Sequence, residues 1–148
     1  MIRDTIVPTD EALIDGFEAG TLEGLSHAEH VRLGLLYLAR LPKADALRRL
    51  GDGLLLFATL KGQPEKFHVT MTGAWVELLD VARGACPGAT PAEVMVAWPG
   101  LLNPRALDWF YGPGVLESER ARTGWVEPDL APIDLAGLRL ILPTAANA

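Results

Sequence analysis

Three histidines give the chain its first chemical signal. His27 and His30 stand three residues apart in Ser26-His27-Ala28-Glu29-His30, a spacing that places both on one face of a helix. His68 lies in a separate segment, with Thr72 four residues on and Trp75 one turn beyond. Two imidazoles on one helix and a third on another can supply three nitrogens to a metal with open positions, as in catalytic zinc or iron sites. His27, His30 and His68 are therefore the candidate metal ligands, with zinc or iron as the candidate cofactor. A second reading needs no metal. All three fall at helix starts, where the positive dipole end disfavours a cation and lowers imidazole pKa values. Neutral histidines there suit an anionic or carbonyl substrate, with His68, His27 and His30 as acid/base groups and Thr72 orienting His68. A third reading assigns no site: two histidines near solvent and one satisfied in the core. Thr72 has its own plain alternative, a bond to the carbonyl four residues back.

The C-terminal third holds the densest polarity. Asp108-Trp109-Phe110-Tyr111 is followed by Glu117-Ser118-Glu119-Arg120-Ala121-Arg122 and then Trp125-Val126-Glu127-Pro128-Asp129. One reading pins a strap through Arg122 paired with Glu127 or Asp129. The other puts Tyr111 and Arg122 at a pocket mouth as a carboxylate anchor, with Trp75 as a further ligand contact. Trp98, Trp109 and Trp125 read as packing. Cys86 follows a helix end, where the dipole raises thiol pKa, and is not a candidate nucleophile. No phosphate loop, dinucleotide fingerprint or nucleophile elbow is present.

The elements that must position these residues read as helices. Thr9 caps a helix over about 10–18 that Gly20 closes. Ser26 and Glu29 form a capping box for a second, to about residue 40, with Leu33, Leu36 and Tyr37 as its buried stripe. A third spans about 43–60, its face made of Leu47, Leu50, Leu54, Phe57 and Ala58 and its middle weakened by Gly51 and Gly53. A fourth is expected over about 65–83, with His68 in its first turn. Thr90-Pro91-Ala92-Glu93 starts a short helix, and Asn103-Pro104 another, to about residue 111. Beyond Gly112 the chain turns irregular, and 138–142 reads as a short strand or an extended wrap.

The fold class that follows is all-α: a small helical bundle in one domain, 1–148, covered by a C-terminal irregular strap over about 112–143. Trp125, Leu130, Ile133, Leu138, Leu140, Ile141 and Leu142 are too much apolar surface for a disordered tail.

Composition narrows the function classes. In 148 residues, 49% are hydrophobic and 22% charged, with a net charge of −6. That balance opposes nucleic acid and anionic membranes as partners, because both need a basic surface. A single cysteine excludes an internal disulfide and a multi-cysteine zinc site. The start has no apolar signal-peptide core, and the apolar run 54–58 is far below the ~20 residues of a membrane span, so a cytoplasmic location is expected. A small-molecule ligand and a homo-oligomer are the partners that stay open.

Three stretches, taken together, resemble a family of small uncharacterised bacterial helical proteins. They are Ser26-His27-Ala28-Glu29-His30-Val31-Arg32, Phe67-His68-Val69-Thr70-Met71-Thr72-Gly73-Ala74-Trp75, and Leu116-Glu117-Ser118-Glu119-Arg120-Ala121-Arg122 with Val126-Glu127-Pro128-Asp129-Leu130. The family pattern is similar to His-x-x-His-x-Arg, then Tyr-His-Glu-Thr-x-Thr, then a Val-Glu-Pro-Asp segment. The resemblance implies that the three histidines, Thr70, Thr72 and the tail belong to one site or one scaffold. This chain departs at Phe67, and at Val69 where the pattern has glutamate. A metal-ligand or base role for that glutamate would be lost here.

The functional expectation is a histidine-lined cavity between the second and fourth helices, used by an enzyme or a small-ligand binder. The alternative is a non-catalytic assembly protein working through apolar helix faces.

Overall fold

The computed structural model describes residues 7–143. Seven α-helices run through them: α1 (Asp10–Ala19), α2 (His27–Arg40), α3 (Lys43–Leu60), α4 (Val69–Gly84), α5 (Pro91–Ala97), α6 (Glu119–Thr123) and α7 (Leu135–Leu140). Tight 3₁₀ turns occupy Pro64–Lys66, Pro99–Leu102 and Ala106–Trp109, and no strand forms among the described residues. The fold is an all-α small helical bundle. No helix among the described residues is long and apolar enough to cross a membrane.

Local chemistry starts and stops the first helices as their sequences suggest. The Thr9 hydroxyl accepts the Ala12 N–H at 3.1 Å, and Gly20 closes α1 in the left-handed region at φ 75°. In α2 the Ser26 hydroxyl accepts from Glu29 N–H at 3.1 Å while the Glu29 carboxylate accepts from Ser26 N–H at 2.9 Å.

The α2 core is wider than the expected stripe. Val31 and every residue from Leu33 to Leu38 are buried, so the helix is enclosed on most of its circumference by its neighbours. Tyr37 donates from its hydroxyl to Glu18 at 2.6 Å, and the same carboxylate oxygen takes Arg49, which ties α1, α2 and α3 together.

Gly53, read from sequence only as a weakness, is a requirement of packing. A Cβ there would lie 2.1 Å from Cε2 of Phe17, so the glycine lets the α1 ring press against the α3 backbone. The expected face of α3 divides. Leu50 enters the core at 4% exposure, whereas Leu47 is 37% exposed. Leu54, Phe57 and Ala58 border open space, Leu54 while also packing on the edge of the core.

The fourth helix begins later than expected. Pro64–Lys66 forms a 3₁₀ turn, and α4 starts at Val69 with His68 as its N-cap in extended backbone (φ −129°, ψ 113°). The Asn103-Pro104 segment likewise gives only the 3₁₀ turn Ala106–Trp109, because Asn103 Oδ1 accepts Arg105 N–H at 3.0 Å in a tighter local turn.

The C-terminal segment is ordered and lies over the bundle. Thr70 Oγ1 donates to the Gly124 carbonyl at 2.7 Å and accepts Val126 N–H at 3.0 Å. Leu130 N–H bonds the Phe110 carbonyl at 3.0 Å, and Ala121, Leu138 and Ile141 enter the core. No strand occurs at 138–142. Asp134 caps the Gly137 N–H at 2.9 Å, so Leu135–Leu140 becomes α7. Part of the expected apolar cover faces out: Trp125, Leu130, Leu140 and Leu142 are exposed.

Candidate functional site

A cavity of about 490 Å³ lies between α2, α3 and α4, beside the turn Pro64–Lys66. Its floor is made by buried Val31, Leu50 and Leu79, and its walls include Leu54, Phe57, Met71 and Trp75. His27, His30, His68 and Thr72 all border it. The structure thus gathers the three histidines, Thr72 and Trp75 around one space, because the first turns of α2 and α4 meet there.

The roles of these side chains differ. His68 Nδ1 accepts the Met71 N–H at 3.0 Å, so the ring hydrogen sits on Nε2, which donates to the Leu116 carbonyl at 2.6 Å. Both nitrogens are therefore engaged in capping α4 and holding the chain at Leu116. That geometry corrects the expectation of His68 as a general base, since a base needs a free lone pair aimed at substrate. Thr72 does not orient that imidazole. Its hydroxyl donates to the His68 backbone carbonyl at 2.7 Å, the ordinary four-residue back-bond.

His27 Nε2 donates to the Leu101 carbonyl at 2.9 Å, and its ring meets Trp75 edge-on at 4.9 Å between centroids. Burial lowers its pKa, and the Leu101 carbonyl opposes this. The His30 ring makes no hydrogen bond among the described residues, while its backbone N–H bonds the Ser26 carbonyl at 3.0 Å. Its pKa is lowered by burial first and by His27 second, with Glu29 pulling it back. His30 is therefore neutral at pH 7, with one nitrogen able to donate and the other to accept.

The three-histidine metal set is not formed. No group of three histidine, cysteine or acidic side chains among the described residues converges closely enough to hold a metal ion. The physical reason is visible at His27 and His68, whose Nε2 atoms are turned to backbone carbonyls.

Tyr111 and Arg122 are not at the cavity. Tyr111 is buried and donates to the Val126 carbonyl at 2.7 Å. Burial, with Glu127 and Asp129 nearby, pushes its pKa up to about 12, so it stays a donor. Arg122 pairs with Glu119 and donates to the Glu65 carbonyl at 3.2 Å, not to Glu127 or Asp129. Glu127 instead accepts from Trp125 Nε1 at 2.7 Å, and Asp129 accepts the Gly112 N–H at 2.9 Å. Trp109 and Trp125, expected to pack, are 42% and 43% exposed, and the Trp125 ring packs against Gly73.

The cations at the cavity are Lys61 and Lys66, both exposed at its rim with Gln63. Sequence reasoning passed over them. Their signal was position, since the turn 61–66 runs directly into His68. No known protein family, curated protein or solved structure matches this chain.

Proposed function

We propose that the protein binds a small, largely apolar molecule in the α2–α3–α4 cavity, with His30 as the polar contact. The observation that carries this reading is an unpartnered, neutral imidazole beside about 490 Å³ of space walled by leucine and phenylalanine. Ligand sites have this character: concave, mostly apolar, with few polar groups, and some 300–1,000 Å³ in volume. Proton transfer is the chemistry available to His30 there. Among the described residues no side chain orients it as the third member of a triad would, which favours binding over acid/base catalysis.

A thermal-shift screen of small apolar acids, alcohols and amines tests the reading, with Ala58→Phe filling the cavity from α3. A ligand at a hundredfold excess over Kd stabilises by about 2.7 kcal/mol. Stabilisation in the native protein that vanishes in Ala58→Phe is the expected result. Stabilisation that persists in the filled variant would place the ligand elsewhere. The rival reading, assembly through apolar helix faces, draws on exposed Leu47, Leu55 and Trp125 along a second groove. No response to any compound, with a concentration-dependent oligomer, would favour that rival.

A further inference from the structure

The charge pattern around the cavity carries more than its shape does. The chain has 19 acidic residues against 13 basic ones, yet among the described residues no aspartate or glutamate borders the cavity. Among the described residues its only formally charged neighbours are Lys61 and Lys66. Neither lysine pairs with a carboxylate among the described residues. Lys61 Nζ donates to the Glu23 backbone carbonyl and lies 5.4 Å from the Phe57 ring centroid. Glu29, the acid flanked by the two cavity histidines on α2, is turned back onto the Ser26 N–H. The N-terminal ends of α2 and α4 also meet at this space, and both carry positive potential.

We infer that the cavity takes an amphipathic monoanion, its apolar body between Leu54, Met71 and Leu79 and its carboxylate at the Lys61–Lys66 rim. This inference rests on the cavity-binding reading and adds the charge and polarity of the ligand. An apolar tail fits the floor because it leaves no buried polar group unpaired. A carboxylate fits the rim because two exposed ammonium groups border it and, among the described residues, no carboxylate lines the cavity. A cationic head meets repulsion there, and a neutral head gains nothing from the lysines. His30, which also borders the cavity, is a hydrogen-bond partner for the ligand.

The test is calorimetric titration of the native protein with octanoate, octanol and octylamine, three probes that share one tail. Each exposed cation contributes a few-fold in affinity, so octanoate binds about tenfold tighter than octanol, with octylamine the weakest. In the double variant Lys61→Gln/Lys66→Gln the octanoate advantage falls to less than about threefold, while octanol affinity is unchanged. Raising the salt concentration shrinks the native preference in the same direction, because the lysines are solvent-exposed. Octanol binding as tightly as octanoate, or a preference that survives in the double variant, overturns the inference and leaves the cavity reading standing. Failure of all three probes to bind, in protein that unfolds cooperatively, removes both.

Discussion

Around Thr70 and Tyr111 the inward polar groups of the C-terminal segment meet partners: Gly124 and Val126 for one hydroxyl, Val126 for the other, with Gly112 taken by Asp129. At the head of α2 one side chain differs, the His30 ring, which has no hydrogen-bond partner among the described residues and stands beside open volume. Both regions are rich in residues that can do chemistry. Only the second leaves one such side chain, the His30 ring, with its hydrogen-bonding capacity unspent among the described residues, and that capacity is what a ligand can use. Polar density therefore marks scaffolding in the tail, and polar sparseness in an apolar hollow marks the candidate site.

Removing the strap is the strongest way to break this comparison. Truncation after Gly112 strips buried Ala121, Leu138 and Ile141 from the core and leaves Thr70 without its partners. Each large apolar side chain contributes about 1.5–3 kcal/mol, against a total stability of about 5–15 kcal/mol. The truncated chain is expected to lose its single sharp thermal transition by circular dichroism. A transition at nearly the native temperature would show that the tail's hydrogen bonds are ornamental, and its polar residues would need a functional account. A smaller version is Thr70→Val, which orphans the Gly124 carbonyl and the Val126 N–H and costs about 2–3 kcal/mol in chemical denaturation.

The contrast also explains what the sequence could disclose. Helix starts at Thr9, Ser26 and Thr90 are legible because a cap and its recipient N–H are three residues apart. The start of α4 is not, because histidine is an unusual cap and Pro64–Lys66 imitates a helical turn. Near the end of the chain Leu138 to Leu142, apolar but for Arg139, suit strand or helix, and the Asp134 cap decides for helix as far as Leu140, with Ile141 extended. That the three histidines share a space follows from their local spacing once α2 and α4 pack together. The idle state of His30, by contrast, depends on what every other element fails to offer it. Nor can the apolar periodicity of α3 say whether Leu54 and Phe57 face neighbours or a hollow.

Two histidines on the same cavity sharpen the comparison at the scale of single residues. His68→Ala removes the α4 cap and the bond to Leu116, at an expected cost of about 1–2 kcal/mol. His68→Asn recovers part of this, because asparagine caps well. His30→Ala is expected to cost less stability and to weaken ligand binding instead. Urea titration of the three variants, with and without octanoate, separates the roles. Equal stability losses at positions 30 and 68 would remove the distinction between them.

The smallest expected effect is a pH dependence confined to the same pair of turns. Burial lowers the pKa of both His27 and His30 below the ordinary value of 6.5. The unfolded chain therefore takes up protons on these rings before the folded one does, and between the two pKa values the unfolded state binds more. Stability is fully present above pH 6.5 and declines as pH falls from there toward the folded values. Ordinary carboxylates titrate near pH 4, so the window between pH 7 and about 5.5 belongs mainly to histidine. Urea midpoints of the native protein are expected to fall across that window. In His30→Gln the fall is shallower, because one of the two rings with a lowered pKa is gone. A native midpoint that rises on acidification, or a slope untouched in His30→Gln, would mean that His30 is not held neutral by its surroundings, and the cavity would lose the uncharged donor–acceptor that its proposed use requires.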